Sequence, residues 1–240
     1  MTEFHQLASR PDHSWEALHA EAEARARKVP PAPVPSLDHL SYRDYQDVYE
    51  PSDDTFLLLD AIQEELATST AVVDIHLEIG CGSGVATALV QQLARPHAIS
   101  LVTDVNPKAL HVAQQTAPSC LPIQCDLLSA IRIPPVDLLV FNPPYVPTDD
   151  AEVGSDGIEA SWAGGSRGRR VVDRVVPELA RVLAHPHGVA LLVTVDDNEP
   201  WELAERFAAV GLEMKPFLRR RARNEYLTIQ RITWMEVQAS

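Results

Sequence analysis

Apolar segments and amphipathic segments alternate along most of this chain. Apolar runs rich in β-branched residues predict strands over residues 71–79, 98–103, 121–125, 136–141 and 188–195. Apolar residues at helical spacing predict helices over 53–67, from a glycine loop after the first strand to about residue 94, from Asn106-Pro107 onward, over 169–183 and near 199–210. Two last apolar segments, 212–218 and 225–234, predict a C-terminal antiparallel hairpin. This order predicts an α/β fold with a doubly wound, mostly parallel, seven-stranded sheet.

The first 40 residues differ in composition from the rest of the chain. The segment "SWEALHAEAEARARK" predicts a helix capped by Ser14. The segment "VPPAPVPS" that follows has four prolines in eight residues and predicts an extended tether. We therefore expect residues 1–40 to form a mobile or loosely docked extension, and residues 41–240 to form the main domain.

Composition and charge limit the possible partners. With 45% apolar and 22% charged residues, the chain has no apolar run near the ~20 residues that span a bilayer, and we expect no membrane partner. A net charge of −14 argues against binding bare nucleic acid, which usually requires a basic face. Three cysteines without CxxC spacing and nine histidines without ligand spacing predict neither a metal site nor a disulfide framework. We expect a protein of the reducing cytosol or nucleus.

A glycine loop follows the first predicted strand. The strand runs into "LEIGCGSG", where Gly80 and Gly82 allow a tight turn and a close approach of the backbone to a ligand. Acids occur at the ends of three successive strands: Glu78 precedes the loop, Asp104 ends the second strand and Asp126 follows the third. Because ligands bind at the carboxyl ends of such strands, we expect these groups to line one site.

The acids indicate which cofactor this site holds. A dinucleotide site requires G-x-G-x-x-G, but position 85 is Val. Glu78 would repel a pyrophosphate, whereas it would attract the cationic methionine part of S-adenosylmethionine. Asp104 can bind both ribose hydroxyls, and Asp126 is placed to bind an adenine amino group. We therefore predict an S-adenosylmethionine site rather than an NAD site.

The fourth strand ends in the rigid sequence Asn142-Pro143-Pro144-Tyr145. Each proline has a fixed φ and no N–H, and the residue before it is excluded from the helical region. The Asn142 side-chain oxygen and the Pro143 carbonyl would therefore face a substrate as two acceptors. They suit a planar –NH2 group, because holding both hydrogens localises the nitrogen lone pair and aims it at a methyl group. Tyr145 offers a flat surface on which such a group can stack.

These motifs, in this order, resemble those of class I methyltransferases that modify amino nitrogens. The segments "VYEPSDDTFLLLDAI" and "VGSDGIEASWAGGSRGR" make residues 45–235 similar to the HemK-type glutamine methyltransferases, particularly their eukaryotic and archaeal branch. The resemblance implies a Rossmann-like fold and methylation of the Gly-Gly-Gln glutamine of a class I translation release factor. It implies that Asn142, Pro143 and Tyr145 are catalytic and that residues 142–146, with Pro144 and Val146, bind the target nitrogen. The implied cofactor contacts are Thr55, Glu78, Gly80, Gly82, Asp104, Asp126 and Asn142, with Val105 and Leu127 flanking the adenine.

The resemblance also implies a partner subunit. Bacterial relatives carry a helical N-terminal domain, which about 45 residues of Ala/Glu-rich and Pro-rich chain cannot supply. Members of the short branch work with a small zinc-binding activator that pairs with the sheet edge near the third strand. Residues 120–125 would form that edge here, and this apolar strand lacks the charges that normally protect exposed edges. The alternative is that the chain's own N-terminal extension covers the edge.

Other methyl acceptors remain open at this point. The amino group of adenine in DNA or RNA suits the rigid corner at residues 142–145 as well as the amide of glutamine does. A histone lysine suits it poorly, because an ammonium group is not planar and must first lose a proton. A non-catalytic subunit that kept only the fold is a further alternative, against which the intact motifs argue.

Two further segments carry weaker signals. The glycine-rich loop 154–170, with Trp162 and Arg167, is long for a connection and indicates a part in the substrate cleft or mobility. The basic run "RRRAR", residues 219–223, predicts either a solvated hinge between the last strands or a contact with an acidic or RNA-bound partner.

Overall fold

The computed structural model describes residues 13–132, 134–155 and 157–236. The strands are β1 (Ile75–Ile79), β2 (Ile99–Asp104), β3 (Cys120–Gln124), β4 (Leu138–Phe141), β5 (Val189–Val195), β6 (Leu212–Ala222) and β7 (Glu225–Trp234). The α-helices are α1 (His13–Ala26), α2 (Asp53–Thr68), α3 (Val85–Leu93), α4 (Pro107–Thr116), α5 (Val172–Val182) and α6 (Pro200–Ala208). The strands form one sheet in the order β3-β2-β1-β4-β5-β7-β6. The predicted doubly wound, seven-stranded α/β fold is confirmed.

Five parallel strands, from β3 at one edge to β5, form most of the sheet, and helices cover both faces. Strands β4 and β5 are buried along their whole length, as their continuous apolar runs indicate. One apolar layer includes Leu58 and Ile62 of α2, and the other includes Val176 of α5 and Phe207 of α6. No helix among the described residues is long and apolar enough to cross a membrane.

The strand order reverses between β1 and β4. Each of these strands pairs with the other in parallel, and Ile79 lies opposite Phe141 at their carboxyl ends. The loop that begins at Gly80 and the corner that begins at Asn142 therefore leave the sheet side by side. A reversal of this kind is the usual ligand-binding position of an open α/β sheet.

The C-terminal antiparallel hairpin is confirmed, but its first strand is longer than predicted. The pairing of β6 with β7 continues to Ala222, so most of the basic run lies in a strand. Arg219 is buried, and its guanidinium donates to both carboxylate oxygens of Asp196 at 2.7 Å. It also lies over the ring of Tyr226, 4.2 Å from the centroid. The prediction of a solvated hinge is therefore wrong for Arg219, because a buried arginine requires such partners, whereas Arg220, Arg221 and Arg223 are exposed.

The described part of the N-terminal extension is attached to the domain. Helix α1 packs against β6, and the backbone N–H of Ala32 donates to Asp60 of α2 at 2.7 Å. Gln63 donates from the same helix to the carbonyl of Pro30 at 2.9 Å. For residues 13–36 this corrects the expectation of a loosely docked segment, while residues 1–12 lie outside the described residues. The division of the chain at residue 40 stays a prediction.

Candidate active site

The glycine loop joins β1 to α3 in a tight turn. Gly80, Gly82 and Gly84 all have positive φ, at 64°, 48° and 74°. A Cβ on Gly84 would lie 2.7 Å from the Cα of Ala113, so this glycine allows α3 and α4 to pack closely. A Cβ on Gly82 would meet no atom within 4 Å, so the loop borders open space there. The loop is therefore tight on its protein side and open on the side where a ligand would lie.

Glu78 lies beneath this loop and is buried. Its Oε2 accepts hydrogen bonds from the Thr87 hydroxyl and, at 3.0 Å, from the Thr87 backbone N–H in the first turn of α3. Burial raises the pKa of Glu78 to about 8, although the hydrogen bonds from Thr87 lower it. A cationic ligand would favour the ionised carboxylate, which agrees with the proposed attraction for the methionine part of the cofactor.

Asp104 ties the end of β2 to the glycine loop. Its Oδ2 accepts from the Gly82 N–H at 3.3 Å, and its Oδ1 accepts from the Asn106 N–H at 2.9 Å. Burial raises the pKa of this carboxyl. The next residue, Val105, is apolar and 59% exposed. An exposed valine beside a half-buried carboxylate is the pairing expected where a ribose and an adenine would lie.

Asp126 and Leu127 follow β3 at the same edge of the sheet. The Asp126 carboxylate accepts from Arg174 of α5 at 2.5 Å, a contact that the sequence did not indicate. Leu127 has a φ of 51°, a strained value for a residue with a side chain. Strain of this kind is concentrated at ligand sites. The assignment of both residues to the adenine stays a prediction.

The corner formed by residues 142–145 is held in place by Asp54, an acid that was not predicted from the sequence as a site residue. The Nδ2 of Asn142 donates to Oδ2 of Asp54 at 3.0 Å, and the hydroxyl of Tyr145 donates to the same oxygen at 3.2 Å. The hydroxyl of Tyr49 lies 3.3 Å from both oxygens of Asp54. The other end of the Asn142 amide, Oδ1, is buried and has no hydrogen-bond partner among the described residues. Next to Asp54, Thr55 is buried in the first turn of α2, where its hydroxyl accepts from the Ser52 N–H at 3.4 Å.

Both tyrosines remain donors at neutral pH. Burial and the neighbouring Asp54 raise the pKa of Tyr49 to about 12 and that of Tyr145 further. Their hydroxyls therefore keep their protons and point them at the carboxylate. Asp54 thus accepts hydrogen bonds from the neutral side chains of Asn142, Tyr145 and Tyr49.

The loop 154–170 is attached to the corner. Val146 donates to the carbonyl of Trp162 at 2.9 Å and accepts from the N–H of Gly164 at 2.8 Å. Gly168 passes so close to the corner that a Cβ there would lie 1.8 Å from the carbonyl oxygen of Tyr145. Arg167 pairs with Glu199 at 2.5 Å and with Glu202 at 3.1 Å. The loop is therefore packed directly against residues 145 and 146, and its part in a substrate cleft stays a prediction.

Asn198 joins the corner and the loop. It is 1% exposed, and its Nδ2 donates to the carbonyls of Tyr145 at 2.8 Å and of Arg167 at 2.9 Å. Neither Asn198 nor Asp54 was predicted from the sequence as a site residue. For Asp54 a signal existed, because it shares a helix face with Leu58 and Ile62 at spacings of four residues. For Asn198 there was none, because its partners are far away in the chain.

The residues at this edge suit the predicted cofactor. Two carboxylates, Glu78 and Asp104, border an open glycine loop, the exposed Val105 follows Asp104, and the buried Oδ1 of Asn142 at the adjacent corner has no hydrogen-bond partner among the described residues. Among the described residues there is no group of three or more histidines, cysteines and acids that could hold a metal. With the fold, this arrangement defines a class I S-adenosylmethionine-dependent methyltransferase.

Comparison with known proteins gives the family. The methyltransferase small domain matches residues 51–159. The methyltransferase HEMK2 of Mus musculus is 44% identical over 213 residues, which cover 85% of this chain and 98% of that protein. The eRF1 methyltransferase catalytic subunit mtq2 of Schizosaccharomyces pombe is 32% identical over 83% of this chain and 94% of its own length. The chain belongs to the HEMK2 family of methyltransferases.

A solved structure supports this assignment. The Mtq2–Trm112 complex of E. cuniculi, described as responsible for methylation of the eRF1 translation termination factor, contains a chain with 28% sequence identity and a TM-score of 0.62. The match covers 79% of this chain and 99% of that chain. The predicted resemblance to HemK-type enzymes is confirmed, as is the dependence on S-adenosylmethionine.

Proposed function

We propose that this enzyme methylates the side-chain amide nitrogen of a glutamine in a class I translation release factor, the glutamine of the Gly-Gly-Gln motif. The observation that supports this most directly is the buried, unpaired Oδ1 of Asn142. A buried carbonyl oxygen without a donor is costly, by about 1–3 kcal/mol, and calls for an explanation in function. A hydrogen of a primary amide would satisfy it.

The orientation of the Asn142 amide follows from chemistry. Only a donor can face the Asp54 carboxylate at 3.0 Å, so the nitrogen faces Asp54 and the oxygen, which has no partner among the described residues, is the end left to accept another donor. In the proposed reaction this oxygen and the Pro143 carbonyl accept the two hydrogens of the target amide. The glutamine amide would lie against the ring of Tyr145. S-adenosylmethionine supplies an electrophilic methyl group on a sulfonium. The target nitrogen becomes acidic as it is methylated and releases its proton to water, so no strong general base is needed.

The relatives support the choice of substrate. The yeast relative is named as the catalytic subunit of an eRF1 methyltransferase, and an archaeal relative from Methanocaldococcus jannaschii is named as a putative protein N5-glutamine methyltransferase. The net charge of −14 further disfavours a nucleic-acid substrate. A release-factor substrate places the reaction in the cytoplasm, with the nucleus as a second location.

We propose that the enzyme works as the catalytic half of a heterodimer with a small zinc-binding activator. Strand β3 lies at one edge of the sheet, and β2 is its only strand partner among the described residues. Leu121 of β3 is 52% exposed, and Ile99, on the same face of β2, is 48% exposed. Helix α1 packs on β6 at the opposite end of the sheet and leaves this edge open. An apolar open edge suits a partner that adds a strand.

The test of the substrate is transfer of a labelled methyl group to a recombinant release factor. We expect labelling of the Gly-Gly-Gln protein, stimulated by the activator, and none of the Gly-Gly-Ala variant. Asn142→Ala should abolish labelling with little change in the thermal midpoint. An adenine-containing oligonucleotide and a histone peptide are the competing substrates. Equal labelling of the Gln and Ala forms, or preferential labelling of a competitor, would overturn the proposed substrate.

The test of the partner is a titration with the zinc-binding activator. Leu121→Lys should weaken binding by roughly 30- to 100-fold, because it places a charge in an apolar interface. Met235→Lys is the matched control, since Met235 is also exposed (48%) but follows β7, far from β3. Equal affinity of the Leu121→Lys protein and the wild type would exclude this edge as the interface.

A further inference from the structure

Asp54 occupies an unusual position for a carboxylate. It is 3% exposed in the first turn of α2, and its Oδ1 accepts from the Thr55 backbone N–H at 2.7 Å. The described residues include no lysine, arginine or histidine in a salt bridge with it. Its other donors there are the Thr55 hydroxyl, Asn142, Tyr145 and Tyr49. The positive end of the helix dipole and these neutral donors stabilise the negative charge. The charge is therefore buried, satisfied and directed at the catalytic corner.

We propose that Asp54 is a positioning residue that fixes the carboxamide of Asn142 in the orientation required for methyl transfer. The prolines fix the backbone position of Asn142, but they do not determine which end of its side-chain amide is directed at the substrate. Rotation of the amide by 180° would replace a charge-assisted hydrogen bond with two acceptors about 3.0 Å apart. Because the rotated orientation lacks that hydrogen bond, the observed orientation is favoured by roughly tenfold or more. Asp54 therefore determines that an acceptor, not a donor, meets the target amide.

The charge on Asp54 has a second effect on the same atom. Hydrogen-bonded groups in a low-dielectric interior polarise one another, so donation from Nδ2 to a carboxylate makes the Oδ1 of Asn142 a stronger acceptor. The target nitrogen becomes positive as it takes the methyl group. The buried negative charge of Asp54, separated from that nitrogen by the Asn142 side chain, stabilises the developing positive charge. Asp54 should consequently act on turnover more than on binding of the release factor.

Asp53 provides a matched control for Asp54. Both are acids in the first turn of α2, but Asp53 is exposed and points away from the buried face. Asp53→Asn and Asp54→Asn remove the same charge from the same helix end. A general effect on α2 would appear in both variants, whereas an effect on the Asn142 amide would appear only in Asp54→Asn.

The first experiment compares these two variants on the release factor at saturating S-adenosylmethionine. This inference rests on the proposed glutamine substrate. We expect Asp54→Asn to lower kcat by at least tenfold, with KM for the release factor and the dissociation constant of the cofactor each within about threefold of wild type. We expect Asp53→Asn to stay within about twofold of wild type in every parameter. A kcat for Asp54→Asn within about twofold of wild type would overturn the proposal.

A reciprocal exchange tests orientation directly and also covers an Asp54→Asn protein that does not fold. Asn142→Asp alone brings two carboxylates within about 3 Å and should be nearly inactive. The double variant Asp54→Asn/Asn142→Asp restores one donor facing one carboxylate, and leaves an oxygen at position 142 free to accept from the target amide. We expect it to exceed Asn142→Asp in kcat by at least fivefold. A double variant no faster than Asn142→Asp would contradict a positioning role.

A substrate-free measurement separates this inference from the proposed function. In the ¹⁵N-labelled wild type we expect one side-chain amide proton of Asn142 to resonate downfield, because it is donated to a carboxylate, and to lose that shift in Asp54→Asn but not in Asp53→Asn. If the wild type labels no release factor, the proposed substrate fails while this spectrum still decides the orientation. An Asn142 resonance that is the same in all three proteins would overturn the inference.

Discussion

Asn198 offers the sharpest test of how the corner is held. It follows β5, and its buried carboxamide makes three hydrogen bonds shorter than 3 Å. Its Nδ2 donates to the carbonyls of Tyr145 at 2.8 Å and Arg167 at 2.9 Å, and its Oδ1 accepts from the Val195 N–H at 2.8 Å. Asn198→Ala removes all three bonds. The substitution therefore weakens the attachment of the loop 154–170 to the corner, although the bonds of Val146 to Trp162 and Gly164 remain.

The magnitude follows from these bonds. Loss of three hydrogen bonds, at about 1 kcal/mol each, should lower the free energy of unfolding of Asn198→Ala by about 3 kcal/mol. For a protein of this size, that corresponds to a fall of roughly 6–12 °C in the thermal midpoint. We expect kcat for the release factor to fall by roughly tenfold as well, because the Tyr145 carbonyl and the loop would lose a fixed relative position. Differential scanning calorimetry and steady-state kinetics measure the two effects.

Two variants make the Asn198 test decisive. Asn198→Asp keeps the acceptor for the Val195 N–H but turns an oxygen towards the carbonyls, so we expect it to be at least as destabilising as Asn198→Ala. Gln114→Ala removes a carboxamide from an exposed position of α4 and should change neither property. A midpoint for Asn198→Ala within about 2 °C of wild type, or an Asn198→Asp protein as stable as wild type, would refute this account of the corner.

Two other predictions concern the glycine loop and its acid. Because burial raises the pKa of Glu78 from 4.5 to about 8, the folded protein keeps a proton that the unfolded chain releases, and cofactor-free stability should fall as pH rises through that window. Urea midpoints should show this fall in wild type and a flatter profile in Glu78→Gln; identical profiles would contradict it. Gly84→Ala should lower the free energy of unfolding by about 2–4 kcal/mol, because its Cβ would lie 2.7 Å from Ala113 and its φ is 74°. Gly82→Ala, which meets only open space, should cost about 1 kcal/mol, and equal losses in the two variants would refute the packing argument.

Elements with a strong local pattern could be predicted from sequence. The bounds of β7 agree with the predicted segment 225–234, and Asn106 caps α4 as its position before a proline indicates. β1 was predicted from residue 71 but begins at Ile75, since β-branched residues alone do not define where pairing starts. The missed features depend on distant partners. Asp54 and Asn142 are 88 residues apart. The spacing from Leu58 and Ile62 places Asp54 on the buried face of α2, but no local pattern shows that it meets Asn142 there.

The basic run, residues 219–223, also has a role that depends on distant partners. Three arginines in a row indicate a solvated segment when only local composition is considered. In the fold, Arg219 is held by Asp196, and Arg220 donates to the buried Asp60 at 2.8 Å. Asp60 in turn holds the backbone of Ala32. Arg220 therefore links the hairpin to α2, and through it to the N-terminal extension, while Arg219 links the hairpin to the end of β5. Charge density alone could not reveal these structural roles.

Rigidity of the catalytic corner needs more than its prolines. Proline restricts the backbone, but the orientation of the Asn142 side chain and the position of the Tyr145 carbonyl each depend on a residue outside the motif. Asp54 holds the first from α2, and Asn198 holds the second from the end of β5. Because these contacts come from two separate elements, the acceptors are in place before any substrate arrives, and binding requires little reorganisation. The motif therefore specifies the chemistry only within a fold that brings these two residues to it.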